Sequence, residues 1–293
     1  MTTVQDALRQ LARYLGEERD VPWSDAAVEH PAREARLLLA HAMSVPAERL
    51  TLLAYDPLDE QVIEAAYVFA SRRRGGEPAS HIIGYRAFFG REFFVDSRVL
   101  DPRPETECLV TEALKHPFAE VLDLGTGSGA IIVSLLAERR GAVGIATDVS
   151  ADALQVAEQN AETHSVAGRI GFVQSDWFQA VGGTFDLIVS NPPYIAAHEM
   201  PSLQYEVQCY EPRLALTDEA DGLTAYRKIV AGAPAHLRPG GRLMVEIGPT
   251  QAQAVIAMMA EAGLRNISVI PDLDSRDRVV VGHSPQETGE TRP

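Results

Sequence analysis

The chain predicts an α/β fold built on a mainly parallel, seven-stranded sheet, preceded by a small helical domain. Three observations carry this reading. From Glu120 onward, short apolar runs alternate with segments of helical period. A glycine-rich turn, DLGTGSG (Asp123–Gly129), lies between the first such run and the first such helix. Residues 1–74 show helical spacing alone. Strands alternating with helices imply a parallel sheet covered on both faces.

In the helical region, Val4, Leu8, Leu11 and Leu15 recur at three- and four-residue spacing. Pro31 stands where a first-turn proline belongs, ahead of AREARLLLAHAM. A further helix is expected from about Leu58 to Arg73, with Leu58, Val62, Ala65 and Phe69 on one face. Arg72, Arg73 and Arg74, followed by Gly75 and Gly76, read as cations in a last turn and then glycine. The same cations would also suit an acidic partner. Residues 79–100, with Gly84 and Gly90 among aromatic and β-branched residues, read as a β-hairpin linking two domains.

The expected strands are VLDL, AVGIATD, IGFVQSD, FDLIVSN and GRLMVEIG, with ISVIPD and RVVVG as the last two. AIIVSLLAERR and ADALQVAEQNAETH are the helices between the first three. The domain reading is therefore 1–78 helical, 79–100 hairpin, 101–283 the α/β domain, and 284–293 a polar tail that frays. No internal repeat is apparent.

The formal net charge is −15 over 293 residues. Residues 1–90 hold 13 acidic and 10 basic side chains, which leaves 28 and 16 for residues 91–293, so the α/β part carries −12. That argues against a protein whose affinity comes from neutralising phosphates. The two cysteines, Cys108 and Cys209, lack metal-site spacing, so neither a metal nor a disulfide framework is expected. The amphipathic N-terminus lacks the apolar core of a signal peptide, and Ala130–Ala137 is too short to span a bilayer. A cytoplasmic, monomeric protein without membrane or nucleic-acid partners is the expectation.

Gly125, Thr126, Gly127, Ser128 and Gly129 form a turn that lets backbone approach a ligand closely. The third glycine of the pyrophosphate fingerprint is missing, and no lysine follows as in a P-loop. A ligand without phosphates fits better. Asp148 ends the second strand, where a carboxylate can accept from ribose hydroxyls. Asp176 and Trp177 end the third, where they can accept from an adenine amino group and stack on its ring. Each also has an ordinary structural reading, as helix cap or core aromatic. Their convergence at successive strand ends favours one crevice.

Asn191, Pro192, Pro193 and Tyr194 follow the fourth strand. An amide or exocyclic amino nitrogen is a poor nucleophile because its lone pair is delocalised. Two acceptors aimed at its N–H bonds, the Asn191 side-chain oxygen and the Pro192 carbonyl, would hold it and direct the lone pair. The prolines keep the backbone rigid. Tyr194 offers a π face to developing positive charge. No dedicated base is evident in the sequence.

With these residues in view, the chain resembles class I S-adenosylmethionine (SAM)-dependent methyltransferases with a Rossmann-like sheet. More narrowly, it is similar to the HemK/PrmC family of release factor glutamine methyltransferases. The resemblance runs over about residues 4–283 and rests on GEPASHIIG (76–84), DPRPETE (101–107), DLGTGSG, SDWF (175–178) and VSNPPYI (189–195). EVQCYEPRLAL (206–216), DGLTAYRKI (221–229), EIG (246–248) and DRVVVG (277–282) extend it. NPPY alone is shared with DNA adenine methyltransferases.

The resemblance implies methyl transfer from SAM to the side-chain amide of the glutamine in the GGQ motif of class 1 release factors. It assigns Gly125–Gly129, Asp148, Trp177 and Asn191 to the cofactor, Asn191–Tyr194 to the substrate amide, and the helical domain to the release factor. Asp101, His81 and Ser275 depart from the family pattern. Arg103 and Glu105 suit either the cofactor's methionine end or a structural ion pair. A ribosomal-protein glutamine methyltransferase, an adenine-N6 methyltransferase and a SAM-binding regulator remain as rivals, with a nicotinamide dehydrogenase the poorest fit.

Overall fold

The computed structural model describes residues 1–17 and 28–286; the end of the expected frayed tail, 287–293, lies outside the described residues. The chain divides into two compact units, Met1–Tyr85 with Leu203–Tyr210, and the remainder from Arg86.

The first unit is helical. α1 (Val4–Gly16) starts on a reciprocal cap, in which the Thr3 side chain accepts from the Asp6 backbone and Asp6 returns the bond. Its buried stripe is Val4, Ala7, Leu11 and Leu15. α2 (Pro31–Ala42) begins with its proline at the first position, and α3 (Glu60–Arg74) is capped by Asp59. The deepest residues of α3 are Ala66, Ala70 and Arg73, whereas Val62 and Phe69 are only half buried. The small side chains set the closest approach, and the larger ones pack around its margin.

Arg73 is buried between the carboxylates of Glu34 and Glu206, with Glu206 Oε1 at 2.6 Å. Glu206 belongs to α8 (Tyr205–Tyr210), which packs in this unit. Arg72 pairs with Glu77, and Arg74 stacks over Tyr14. The arginine run thus ends a helix and also meets acidic partners, all within the chain.

The expected hairpin is shorter than 79–100. Residues Ala79–Ile83 form a helix, α4, ended by Gly84 in the left-handed region. The two-stranded sheet is β1 (Tyr85–Phe88) with β2 (Arg91–Phe94). Gly84 closes a helix here rather than marking a strand.

In the second unit, α5 (Glu107–Leu114) precedes β3 (Glu120–Leu124), α6 (Ala130–Glu138), β4 (Val143–Asp148), α7 (Ala151–Thr163), β5 (Ile170–Gln174) and β6 (Phe185–Ser190). After α9 (Arg213–Leu216) come α10 (Thr224–His236), β7 (Leu237–Glu246), α11 (Ala252–Glu261), β8 (Arg265–Pro271) and β9 (Asp277–His283). The seven-stranded order is β5-β4-β3-β6-β7-β9-β8, parallel except for β9, which runs antiparallel to both neighbours.

The two faces of the sheet follow from side-chain alternation. Val121, Leu187, Val189, Met244, Val279 and Val281 join one core with α5 and α6. Leu122, Ile188, Leu243, Val245 and Val280 join the other with α10 and α11. Neighbouring residues on one strand enter opposite cores, as a period of two requires. β3 lies beside both β4 and β6, so the chain reverses direction across the sheet there. The crevice outside the carboxyl ends of these strands is where such sheets bind ligands.

Candidate active site

A cavity of about 510 Å³ opens at those carboxyl ends, and all of its walls belong to the second unit. The glycine turn forms its floor. Gly125, Gly127 and Gly129 have φ of 70°, 55° and 80°, a region that side chains with a Cβ seldom enter. A Cβ on Gly129 would lie 3.1 Å from that of Ala157, so this glycine also lets α6 and α7 close together.

Asp148 holds the turn from β4. Its Oδ2 accepts from Gly127 N at 2.9 Å and its Oδ1 from Ser150 N at 2.9 Å. Burial pushes its carboxyl up, and these N–H bonds oppose that shift. Each oxygen keeps a further lone pair, and the residue lines the cavity. Beneath the turn, the Thr126 hydroxyl donates to Asp123 Oδ2 at 2.7 Å. Asp123 is fully buried, and burial pushes its carboxyl up to about 7 against the Thr126 bond. Asn160, which the sequence did not single out, donates to the carbonyls of Ser128 (2.8 Å) and Phe94 (3.0 Å).

Asp176 and Trp177 line the wall beyond β5. Trp177 has φ of 54°, uncommon for a bulky residue. The Ser175 hydroxyl fixes that bend by donating to the Trp177 carbonyl at 2.8 Å. Lys228 Nζ sits 3.2 Å from both Asp176 oxygens.

Beyond β6, Asn191 and Pro193 face the cavity, while Pro192 is buried and Tyr194 packs into the core on the α10 side. The four do not share one exposed face. The Asn191 side-chain nitrogen donates to Thr106 Oγ1 at 3.2 Å. The Tyr194 carbonyl accepts from Gln251 Nε2 at 2.8 Å, and burial followed by the Glu246 charge pushes the Tyr194 phenol up to about 12. A Cβ on Gly222 would lie 2.3 Å from the Tyr194 carbonyl oxygen, so the 218–224 loop can support this segment only with glycine there. Asp218 shapes that loop by accepting from the backbone of Ala220, Gly222 and Thr224.

The cavity wall carries five carboxylates and three cations. Each cation is already engaged: Arg98 with Asp96, Arg103 with Glu211, and Lys228 with Asp176. Arg103 forms the structural ion pair that the sequence left open, and it also lines the cavity. Such a site suits a cationic ligand better than a pyrophosphate. Thr106 and Glu246 also belong to the site's surroundings; the sequence showed them only as letters within longer motifs.

This sheet order with a strand-end cavity defines a class I methyltransferase. A family model described as "Methyltransferase small domain" matches residues 100–207, and "PrmC N-terminal domain" matches 6–84. A release factor glutamine methyltransferase from Cereibacter sphaeroides is 54% identical over 89% of this chain and 94% of its own length. One from Burkholderia pseudomallei is 45% identical over 87% and 92% respectively. A solved methyltransferase from Pyrococcus furiosus, 19% identical, shares the fold with a TM-score of 0.54 over 73% of this chain and 99% of its own. The chain belongs to the HemK/PrmC family of release factor glutamine methyltransferases. No helix among the described residues is long and apolar enough to cross a membrane.

Proposed function

We propose that the cavity binds SAM and that the chain methylates the side-chain amide nitrogen (N5) of the glutamine in the GGQ motif of class 1 release factors. The observation that carries this reading is the setting of Asn191. Its amide nitrogen donates to Thr106, and that bond orients the side chain so that its oxygen, the one acceptor of the amide, is left to take an N–H of the substrate. Its place on the cavity wall, beside the glycine turn, brings that acceptor within reach of a cofactor bound there.

The residues present fit SAM. Asp148 would take the ribose hydroxyls, Asp176 and Trp177 the adenine, and the acidic excess of the wall would favour the cationic end. The cofactor supplies a methyl group made electrophilic by its sulfonium charge. The chain's own contribution is placement. Asn191 Oδ1 and the Pro192 carbonyl accept the two amide N–H bonds and concentrate electron density on the nitrogen. Tyr194, packed into the core on the α10 side, anchors the segment that carries the clamp. The first unit, matched by the family's N-terminal model, would engage the body of the release factor. A release factor as substrate supports a cytoplasmic reaction.

The test is transfer of labelled methyl from SAM to purified release factor, ribosomal protein and DNA in parallel, with mass mapping of the products. Label on the GGQ glutamine of the release factor is the expected result. Label confined to ribosomal protein or to adenine would overturn the substrate assignment.

A further inference from the structure

Two polar residues outside the NPPY segment meet behind Asn191. Thr106 closes the short turn Pro104–Thr106 that leads into α5. Glu246 is the last residue of β7. In the parallel pairing of β6 with β7, Ser190 is matched to Val245, so Asn191 and Glu246 leave adjacent strands at the same level. Thr106 bridges them. Its Oγ1 accepts from the Asn191 nitrogen at 3.2 Å, and Glu246 is the carboxyl group toward which its hydroxyl hydrogen can turn. The three residues lie far apart in sequence, and packing alone does not call for a carboxylate at 246. Glu246 is 1% exposed, and a carboxylate so deep is costly unless it answers a polar need.

We propose that Thr106 and Glu246 are positioning residues for the methyl transfer, and that they fix the amide of Asn191 with its oxygen toward the substrate nitrogen. A hydroxyl has one hydrogen to donate. Glu246 takes it, so toward Asn191 the Thr106 oxygen can act only as an acceptor. It then selects the NH2 end of the Asn191 amide, and the carbonyl end turns to the cavity. A threonine free to donate would tolerate the flipped amide, which would present N–H groups to a substrate that also offers N–H groups.

The arrangement holds in either protonation state of Glu246. Burial pushes this carboxyl up to about 7, against the opposing effects of Thr106 and Arg278. Oε2 is buried without a hydrogen-bond partner. A proton on Oε2 leaves Oε1 an acceptor, and the direction of the chain is unchanged.

This inference rests on the reading of Asn191 as the amide acceptor, and the experiment separates the two. Single-turnover methylation of a release factor is followed at saturating SAM, so that chemistry is seen apart from binding. Thr106→Val keeps the shape and removes the hydroxyl; it should slow the step about tenfold, the scale of one lost hydrogen bond. Thr106→Ser should recover most of the loss. Glu246→Leu should match Thr106→Val, and Glu246→Gln, which can still accept, should recover most of its own loss. SAM affinity by calorimetry should stay at the parent value in the Thr106 variants. In an Asn191→Ala background, Thr106→Val should cost nothing further, because its effect passes through Asn191. A slow Asn191→Ala variant with Thr106→Val at the parent rate, or with the two losses multiplying in full, would overturn the positioning chain alone. Asn191→Ala at the parent rate would remove the amide clamp itself, and the chain with it.

Discussion

Asp148 serves the turn and the proposed ligand with the same carboxylate. It holds the Gly127 and Ser150 amides, and it lines the cavity. Asp148→Ala should weaken SAM binding by roughly 1.5–3 kcal/mol, the scale of hydrogen bonds to a charged group. Calorimetry showing the parent affinity would remove the ribose assignment. Asp123 makes a prediction about pH. Its folded value, about 7, lies above the ordinary 3.8, so between those values the folded chain holds the extra proton. Stability from this group is therefore fully present below the ordinary value and is lost as pH rises through about 7. Asp123→Asn should raise the melting temperature relative to the parent at pH 8, with the gain shrinking toward pH 5; a gain independent of pH would contradict the burial argument. At this scale the sequence was partly legible. Residues contiguous with a motif, such as the glycine turn and Asn191, stood out by their spacing. Asn160, Thr106 and Glu246 act across more than thirty residues of sequence, and no local spacing brings them together.

Among the elements, the parallel strands were readable because burial on both faces leaves short apolar runs between polar turns. The seven expected strands are present, and β7 starts earlier than expected, at Leu237, carrying Pro239 and two glycines through a register shift beside β6. α4 was hidden because a five-residue helix has too few turns to show a period. α10 contains Pro234 near its end, which reads as a loop signal in sequence. The loop before α10 offers a sharp test, since Gly222 combines φ of 76° with close contact to the Tyr194 carbonyl. Gly222→Ala should displace the NPPY segment and slow single-turnover transfer by on the order of tenfold or more, as small misplacements do. SAM binding, which we assign to the β3–β5 ends, should survive. The parent rate in this variant would mean that the loop does not set the position of the segment.

At the level of the whole chain, chemistry and the proposed recognition fall to separate units. The cavity lies wholly in the second unit, and the first has its own core of α1, α2 and α3. Leu52 and Tyr55 stand out from the first unit, 83% and 82% exposed. If that unit engages the release factor, replacing both with serine should raise KM for the whole factor and leave a short GGQ peptide unaffected; equal effects on both would contradict a recognition role. The division into a helical part and a sheet part was legible because the hydrophobic period changes along the chain. That Leu203–Tyr210 packs with the first unit was not, because nothing local in Tyr205–Tyr210 distinguishes it from a loop helix of the second. The central claim is that Asn191 clamps and activates a substrate amide, and single-turnover methylation by Asn191→Ala at saturating SAM and release factor tests it most directly. The account predicts a loss of on the order of 10²-fold or more, as for other preorganised polar contacts; methylation of the GGQ glutamine at the parent rate would contradict it.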